Sequence, residues 1–426
     1  MRELDRVIGY EGIKTELYRI IDIIKNSEKY KKLGISVPKG ILLNGEPGIG
    51  KTLLAKCFIK ETGLKSFVIR KDRPDGEFVD HIRETFKKAA EEAPAIVLLD
   101  DLDKFANEDQ FHRDAEEYVT VQTCIDDVKD LPVFVIATSN EYEKLPGSLV
   151  RSGRFDKDYF MHFPGIEDAK KIIEFYLKNK KVGKDVDVEE IARFSEGHSC
   201  ADLETVINEA GIYAGYENKK YISQDDIKKA VIRKIFNGCD AEESNPESDR
   251  RLAVHEAGHA VISELFFPGQ IAFVSIETKS RGVKGMVRRT KDPLRMEEFA
   301  NNEIEIMIDL AGKAATELIL NEIDMGVNAD LHAANDRMTS LLDDVAAYDF
   351  HSWCHGRETS KIVYDHLDTI KGAELSRYYY KTKQLLFNNR AFLEELIEKL
   401  IEKKTLSYKD IAPIREKHVP SGANAA

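Results

Sequence analysis

Residues 45–52 have the types and the spacing of a phosphate-binding loop. Their sequence, Gly-Glu-Pro-Gly-Ile-Gly-Lys-Thr, matches G-x-x-x-x-G-K-[ST] and lies between an apolar run and a helical pattern. In such a loop the glycines let backbone N–H groups converge on phosphate oxygens, the lysine neutralises the β- and γ-phosphates, and the threonine binds Mg²⁺. A glycine-rich turn with an unrelated lysine is the alternative, and the flanking strand and helix disfavour it. The predicted nucleotide-binding residues are Gly45, Pro47, Gly48, Ile49, Gly50, Lys51, Thr52 and Leu53.

Two acids and an amide follow other apolar runs of the same region. The run 95–99 ends in Asp100 and Asp101, and the run 133–137 leads to Asn140. Ligands of open α/β sheets bind at the carboxyl edge of the strands, so we expect Asp100 to support Mg²⁺ and Asp101 to polarise an attacking water. An acidic helix cap is the alternative for the two aspartates.

Residues 255–259, His-Glu-Ala-Gly-His, predict a different chemistry. They carry H-E-x-x-H within a helical pattern, which places His255 and His259 on one face, within reach of one zinc ion, and puts Glu256 beside its water. A catalytic zinc needs a third protein ligand. Asp330 opens a helical segment after a glycine turn, but spacing alone does not separate it from three other candidates, Glu317, His332 and Asp336.

The elements that must position these residues follow from the hydrophobic pattern. Apolar runs too short for amphipathic helices, separated by helical patterns, predict a parallel sheet covered on both faces. The predicted strands of this sheet are 40–44, 66–69, 95–99 and 133–137. Only helical patterns follow from 166 to about 236, with helices predicted over 168–177, 188–194 and 201–213. After a polar linker, two strand-like runs, 271–278 and 285–289, lie among long amphipathic helices.

Composition limits the class of protein. A length of 426 residues allows about three domains, and a hydrophobic content of 42% suffices for several cores. The formal net charge of −13 disfavours nucleic acid as a partner, because phosphate binding depends on clustered Lys and Arg. Five cysteines, with no C-x-x-C pair, disfavour a disulfide framework. No run approaches the ~20 apolar residues of a membrane-spanning helix, so we expect a soluble, cytoplasmic chain.

The run 133–137 and the residues that follow it resemble the AAA+ ATPase family. Asn140 matches the residue known there as sensor 1, and Arg151 and Arg154, in the sequence Arg-Ser-Gly-Arg-Phe-Asp, match the arginine fingers that reach into a neighbouring subunit's nucleotide site. The resemblance therefore implies a homo-hexameric ring whose sites are completed in trans. Surface ion pairs, which contribute little, are the alternative role for the two arginines.

Two further segments extend this resemblance. Ile8 and Gly9 lie in a Val-Ile-Gly sequence that resembles the segment lining the family's adenine pocket. Residues 197–203, Gly-His-Ser-Cys-Ala-Asp-Leu, resemble the G-x-S-G-A-D-L of its helical lid.

From about residue 5 to 414 the chain resembles the cytosolic part of FtsH-type ATP-dependent zinc metalloproteases. In that family H-E-A-G-H is followed by an aspartate in a segment like the one around Asp330, so the resemblance implies that Asp330 is the third ligand and leaves Glu317 as the fallback or as a group that orients a ligand imidazole. The strand pair near 274–285 resembles the one against which family substrates lie. Zn²⁺, ATP and Mg²⁺ are the implied cofactors, and unfolded or tagged proteins are the implied substrates.

The resemblance also implies a fold and its boundaries. We expect an α/β P-loop AAA+ core over 1–165, a helical lid over 166–236, a linker over 237–249, a mainly α-helical zinc peptidase domain with a small β-hairpin over 250–416, and a frayed tail over 417–426.

Several residues depart from the family pattern. The catalytic glutamate that the family has after the run 95–99 is replaced by Asp101, Cys200 replaces a lid glycine, and Tyr176 stands where a histidine near the nucleotide is usual. The pore-loop motif is not legible, and 76–79 is its nearest candidate. The family's N-terminal membrane helices have no counterpart in this sequence, which predicts a soluble member or a shortened form. Residues 351–355, with two histidines and the one tryptophan, are expected to pack in a core.

Three functions remain open from the sequence. The first is a ring ATPase that unfolds polypeptides and delivers them to the zinc site. The second is a zinc peptidase on a ring that binds ATP but hydrolyses it poorly and degrades only unfolded chains, as the shorter Asp101 suggests. The third is a remodelling chaperone with a structural peptidase half, which the set His255, Glu256, His259 and Asp330 disfavours.

Overall fold

A computed structural model describes residues 2–34, 38–106, 115–150, 153–236, 245–277, 285–290, 299–323, 327–348 and 361–419. The chain divides into two compact units. The first unit comprises Met1–Val188 and Ser195–Ser223, and the second comprises Glu189–Phe194 and Gln224–Ala426. With the exception of Arg151, all predicted site residues lie within these described ranges.

The strands are β1 (Gly40–Gly45), β2 (Lys65–Ile69), β3 (Ala95–Leu99), β4 (Val133–Ser139), β5 (Lys157–Met161), β6 (Ile271–Ser275), β7 (Met286–Arg289) and β8 (Thr405–Ser407). The helices of the first unit and of the lid region are α1 (Glu11–Lys25), α2 (Ser27–Lys31), α3 (Lys51–Thr62), α4 (Asp75–Glu91), α5 (Ala115–Asp127), α6 (Ile166–Leu177), α7 (Val188–Phe194), α8 (Cys200–Tyr216) and α9 (Gln224–Phe236). The remaining helices are α10 (Pro246–Phe266), α11 (Phe299–Asp309), α12 (Ala311–Leu320), α13 (Asn328–Asp343), α14 (Lys361–Asn388), α15 (Arg390–Lys403) and α16 (Tyr408–His418).

The first unit is built on a five-stranded parallel sheet in the order β2-β3-β4-β1-β5. Every residue of β1, β3 and β4 is buried, which is the pattern of strands covered on both faces. Alternate residues contribute to the two faces: Leu42 and Val97 belong to one core cluster, Ile41 and Ile96 to the other. The carboxyl ends of β1, β3 and β4 are adjacent, so the residues that follow them meet at one edge.

The predicted strands of this sheet are confirmed, and one was missed. β5 contains only three apolar residues, Tyr159, Phe160 and Met161, and is as exposed as the edge strand β2, so its sequence lacks the fully buried apolar run of β1, β3 and β4. β5 nevertheless pairs along all of Ile41–Gly45, so β1 becomes an interior strand.

The suggestion that residues 76–79 form a pore loop is wrong. They lie in the first turns of α4, where Phe78 is 0% and Val79 2% exposed, and Phe78 packs edge-on against Phe105. A loop that grips a polypeptide needs an accessible aromatic side chain, whereas this phenylalanine fills the core beneath α4.

The predicted lid helices are confirmed with small shifts in their ends, as α6, α7 and α8. A fourth helix, α9, was not predicted because its apolar residues are interrupted by charges. Residues Glu189–Phe194 and Gln224–Phe236 group with the second unit, in which Phe194 stacks on Phe273 with ring centroids 4.6 Å apart. The boundaries proposed for the lid and for the linker stay predictions.

The second unit is mainly helical, and α10 runs through its core cluster. Its small sheet has the order β7-β6-β8, with both pairs antiparallel. The hairpin of β6 and β7 was predicted, whereas β8 was not. β8 pairs with β6, and the paired residues Ser275 and Thr405 are 130 positions apart in the sequence. None of the helices in the described ranges is sufficiently long and apolar to cross a bilayer.

Candidate functional site

The phosphate-binding loop connects β1 to α3, and its glycines are required by close contacts. Gly45 has φ +138°, and a Cβ there would lie 2.2 Å from the carbonyl oxygen of Met161. Gly48 has φ +78°, and a Cβ there would lie 2.7 Å from Ser199 Oγ at the start of α8. The loop is thus pressed between the neighbouring strand and α8, and only glycine fits at these two positions.

Lys51 lies inside the concavity of its own loop. Its ammonium donates to the carbonyl oxygens of Gly45 and Glu46, both at 2.6 Å, and the residue is buried. Burial lowers the pKa of Lys51, while the nearby carboxylates of Asp103 and Asp101 oppose that shift. The ammonium is therefore positioned at the mouth of the loop, where a phosphate would replace its carbonyl partners.

Asp100 joins three elements at the sheet edge. Its Oδ1 accepts hydrogen bonds from Thr52 Oγ1 at 2.8 Å and from Thr138 Oγ1 at 2.9 Å. Thr138 Oγ1 in turn accepts from the backbone N–H of Asp101 at 2.9 Å. The sequence-predicted pair Thr52 and Asp100 is thus brought together, as expected of groups that share one Mg²⁺. Thr138 was missed as a member, and its place at the end of an apolar strand was the available signal.

Asp101 is surrounded by donors. Asn140 Nδ2 lies 3.3 Å from Asp101 Oδ1, and Lys104 Nζ and Arg70 Nη2 lie 2.7 and 3.4 Å from Oδ2. Partial burial raises the pKa of Asp101, but the Lys104 hydrogen bond and the charges of Lys104 and Arg70 outweigh it and leave the pKa below its ordinary value. Asp101 and Asn140 are therefore together at the edge, but the carboxylate is engaged by two cations of its own chain.

Of the two arginines that match the arginine fingers, the structure describes only one. Arg151 lies outside the described residues. Arg154 is buried, and its Nε and Nη2 donate to the two carboxylate oxygens of Asp126 at 3.2 and 2.8 Å, while Nη1 donates to the carbonyl of Ser148. Arg154 thus makes the ion pair considered as the alternative, although in a buried and bidentate form. Its finger role stays a prediction.

A cavity of about 300 Å³ is lined by Ile8, and a Cβ on the neighbouring Gly9 would lie 2.7 Å from Oδ2 of Asp168, which also lines the cavity. It is lined by Ile8, Tyr10, Phe160, His162 and Asp168 among others, and the Tyr10 hydroxyl donates to the carbonyl oxygens of Ile49 at 3.1 Å and of His162 at 2.8 Å. These bonds tie the N-terminal segment to the phosphate-binding loop. Sequence reasoning identified Ile8 and Gly9 but missed Tyr10 and Asp168, which only the tertiary fold brings to the cavity.

Of the two unusual residues of the lid, Cys200 lies near the same loop and Tyr176 lies near Cys200. Cys200, the first residue of α8, places its Sγ 3.8 Å from the carbonyl oxygen of Ile49, and burial raises the pKa of its thiol. Burial and the neighbouring Glu204 raise the pKa of Tyr176 to about 12. Both side chains are therefore neutral at physiological pH and act here by shape and hydrogen bonding.

In the second unit, α10 presents His255 and His259 one turn apart. Their Nε2 atoms lie 3.0 Å from each other, and Asp330 Oδ2 from α13 lies 3.1 Å from His255 Nε2 and 3.6 Å from His259 Nε2. Each of the three residues has one ligand atom within 4.8 Å of the others. Burial raises the pKa of Asp330, but its bonds to both imidazoles prevail and lower that pKa well below the usual range. The donor set, two imidazole nitrogens and a carboxylate, fits Zn²⁺.

The orientation of His259 is set by the backbone. Its Nδ1 lies 2.6 Å from the carbonyl oxygen of Ile308, which can only accept a hydrogen bond. Nδ1 therefore carries a proton, and Nε2, on the side of Asp330, is the nitrogen that is available to a metal ion. This carbonyl, rather than Glu317, is the group that orients a ligand imidazole.

Close helix packing places α12 against this pair of histidines. A Cβ on Gly258 would lie 2.5 Å from the carbonyl oxygen of Ala311, and a Cβ on Gly312 would lie 2.4 Å from His255 Cε1 and 2.5 Å from His259 Nε2. Glu256 is buried beside β7, where a Cβ on Gly285 would lie 2.4 Å from its Oε1. Gly312 and Gly285 were missed as members of the site, because the contact that restricts each of them is far away in sequence.

The alternative ligands lie apart from this group. Glu317 on α12 accepts from the Tyr379 hydroxyl and lies 3.4 Å from Lys383 Nζ, so its carboxylate serves the contact with α14. Among the described His, Cys, Asp and Glu residues, neither His332 nor Asp336 joins the cluster of possible metal ligands. Residues 351–355 lie outside the described ranges.

Comparison with known families divides the chain in the same order as its motifs. Residues 41–163 match the ATPase family associated with various cellular activities, residues 185–229 the AAA+ lid domain, and residues 243–414 peptidase family M41.

Three similar proteins are each named ATP-dependent zinc metalloprotease FtsH. The protein of Sulfurovum is 33% identical over 360 residues, which are 80% of this chain and 53% of the relative. That of Leptotrichia buccalis is 30% identical over 97% of this chain and 57% of its own length, and that of Helicobacter felis 30% over 94% and 67%. The chain thus spans between about half and two thirds of the length of these relatives.

Proposed function

Because the chain belongs to the FtsH family of ATP-dependent zinc metalloproteases, we propose that it uses ATP hydrolysis to deliver polypeptides to a zinc site that cleaves their peptide bonds. The observation that carries the proposal is the convergence of His255, His259 and Asp330 on one point from two helices, although Asp330 lies 71 positions after His259 in the sequence. The Asp330 carboxylate lies within 3.1 Å of His255 Nε2 and within 3.6 Å of His259 Nε2.

At the peptidase site the three converging residues would hold the zinc ion. When bound, zinc polarises a peptide carbonyl and makes a nearby water more acidic. Glu256 then accepts the proton of the attacking water and returns it to the leaving amine, which accounts for its place next to His255 on the same buried helix. The β6–β7 hairpin offers an extended backbone beside Glu256, through Gly285, for a substrate strand.

At the nucleotide site the residues would divide the work of phosphoryl transfer. The loop and Lys51 bind the phosphates, Thr52 and Asp100 hold Mg²⁺, Asp101 and Asn140 orient water, and Ile8, Gly9 and Leu53 complete the nucleotide contacts. Arg151 and Arg154 would act on the site of the next subunit in a homo-hexamer. For Arg154 this requires release from Asp126, because one guanidinium cannot serve both.

Further parts of the proposal rest on the family. Unfolded or tagged proteins would be the substrates, in the cytoplasm, with an ATPase core over 1–165, a lid over 166–236, a linker over 237–249, a peptidase over 250–416 and a tail over 417–426. Limited proteolysis, with identification of the cleavage positions, would test each of these boundaries.

One change of a single atom tests the peptidase assignment. Glu256→Gln should reduce casein cleavage about a hundredfold or more, since a general base contributes on that order, and leave ATP hydrolysis intact. Glu264→Gln is the matched control, because Glu264 is a buried glutamate on the same helix that accepts from the Gly269 backbone N–H instead of facing the site. Full zinc-dependent cleavage by Glu256→Gln would refute the assignment.

The second candidate function, a peptidase on a ring with weak ATP hydrolysis, is favoured by one observation. Asp101 is one methylene shorter than the family glutamate and is bound by Lys104 and Arg70. Degradation of unfolded casein would then proceed equally with ATP, with a nonhydrolysable analogue and without nucleotide. A rate that depends on hydrolysable ATP would reject this candidate. Zinc binding with peptide hydrolysis would reject the remodelling chaperone.

A further inference from the structure

A cavity of about 600 Å³ lies at the edge of the sheet opposite to the phosphate-binding loop. Its walls are largely apolar and include Leu64, Pro94, Val133 and Phe134. The volume is in the range of small-molecule sites, about 300–1,000 Å³. Neither the nucleotide nor the metal chemistry uses any of these residues.

The position of the cavity separates it from the nucleotide site. Its lining includes the first residues of β3 and β4, Ala95 and Val133, and Lys39 just before β1. The phosphate-binding loop begins at the other end of β1, six residues away along an extended strand, or about 20 Å. A ligand in the cavity therefore cannot contact bound nucleotide.

The charges around the cavity are unequal. Three lysines and one acid, Asp130, line it. Lys25 donates to the carbonyl oxygen of Glu61 at 2.6 Å, and Lys31 pairs with Glu28 at 2.8 Å. Lys39 is half-buried, and within the described ranges its ammonium has neither a hydrogen bond nor an ion pair, also not with Asp130. The nearby carboxylate of Asp156 accepts instead from the Lys39 backbone N–H at 2.6 Å, so the Lys39 ammonium is the positive group at the apolar wall with which an anionic headgroup can pair.

We propose that this cavity binds a long-chain carboxylate, with its carboxylate on Lys39 and its hydrocarbon chain against Leu64, Val133 and Phe134. The positive charge of Lys39 would bind the carboxylate of the ligand, and the apolar wall of the cavity would bind its hydrocarbon chain. A neutral apolar molecule leaves the Lys39 ammonium unpaired, a cationic amphiphile is repelled by the lysines, and a nucleotide finds no phosphate loop at this edge. The site is independent of the proposed protease function and would survive its failure.

The test is a calorimetric titration of the full chain with dodecanoate, below its micelle concentration and at a pH where the carboxylate is ionised. We expect saturable binding of one molecule. Lys39→Met keeps the apolar stem, removes the charge, and should weaken binding about tenfold to a hundredfold, the range of a hydrogen bond to a charged group. Lys32→Met is the matched control, an exposed lysine of the same segment that does not line the cavity, and should leave binding unchanged.

A second variant tests the apolar half of the site. Leu131 lines the cavity and is 38% exposed, so Leu131→Trp narrows the space without removing a core side chain, and it should also weaken binding. Equal affinity in Lys39→Met and the unchanged chain overturns the proposal, as does equally tight binding of dodecyltrimethylammonium. Lys39-dependent binding to phosphatidylglycerol vesicles without binding of free dodecanoate also overturns it and identifies a membrane lipid as the ligand.

Discussion

Replacement of Gly312 by alanine should disable the metal site without touching a ligand. Gly312 lies on α12 in the contact with α10, and the new Cβ would lie 2.4 Å from His255 Cε1, 2.6 Å from His255 Nδ1 and 2.5 Å from His259 Nε2. All three atoms belong to the imidazoles that face Asp330. The methyl group thus enters the space that the ligand side chains occupy.

The size of the effect follows from these distances. Carbon atoms in contact are about 3.5–4.0 Å apart, so the two histidines or α12 must move by about 1 Å. A functional constellation tolerates about 0.5 Å. His259 cannot simply turn away, because its Nδ1 is held by the Ile308 carbonyl. We therefore expect zinc affinity to fall about tenfold to a hundredfold, as when the groups that support a metal ligand are lost.

A matched variant separates this effect from helix propensity. Gly372 lies on α14, is exposed, and has no atom within 4 Å of a Cβ built there. Gly372→Ala should keep zinc affinity and stabilise the fold by about 0.5–1 kcal/mol, the gain from alanine in an exposed helix. Zinc affinity is measured by competition with a chromogenic chelator, peptidase activity on casein, and stability by thermal unfolding. ATP hydrolysis serves as the internal control for both variants.

One result would refute the reasoning. If Gly312→Ala binds zinc and cleaves casein like the unchanged chain, then the contact between α12 and the histidines does not restrict the ligands. Equal losses in Gly312→Ala and Gly372→Ala would point to helix effects in general.

Three further outcomes are expected. Asp101→Glu should restore the reach of the family side chain and raise the ATP hydrolysis rate about tenfold, equivalent to about 1.4 kcal/mol in the barrier; an unchanged rate in a coupled ATPase assay would mean that Asp101 is already competent. Ser199→Ala removes the N-cap of α8, whose hydroxyl accepts from the Asp202 N–H at 3.1 Å and donates to the Asp202 carboxylate at 2.8 Å, and should lower the unfolding free energy in urea titrations by about 1 kcal/mol; an unchanged value would contradict this role. Burial raises the pKa of Glu264 above its ordinary 4.5, so ionisation of Glu264 opposes folding, and the free energy of unfolding falls as the pH rises above 4.5. The difference in melting temperature between Glu264→Gln and the unchanged chain should therefore increase with pH above 4.5. A difference that does not depend on pH would contradict the argument.

The ion pair between Arg154 and Asp126 in the single chain is compatible with a role of Arg154 in a neighbouring subunit's nucleotide site. The motif places an arginine where a neighbouring subunit would need it, whereas the single chain directs it into a bidentate pair. A charged group that is almost buried takes the partner available to it. A role in trans would therefore involve an exchange of partners on assembly.

Sequence alone determined the parts of this protein whose geometry is local. The phosphate-binding loop and H-E-x-x-H span a few residues each, and the periods of strands and helices suffice to place their side chains at a strand end or on one helix face. For the same reason β1, β3 and β4 were predicted, because burial on both faces requires an uninterrupted apolar run, and β2 was predicted from its shorter run at 66–69.

The tertiary structure decided everything that depends on contacts between distant segments. Spacing could not choose Asp330 among four candidates, and only the packing of α13 near α10 brings its carboxylate to both histidines. Likewise, only the tertiary structure shows that Glu317 contacts Tyr379 and that Phe78 is buried in the core and is not part of a pore loop. It also shows that Gly312 packs against the two imidazoles. Side-chain convergence of this kind depends on helix crossings to within about 1 Å, and no local periodicity in a sequence records such distances.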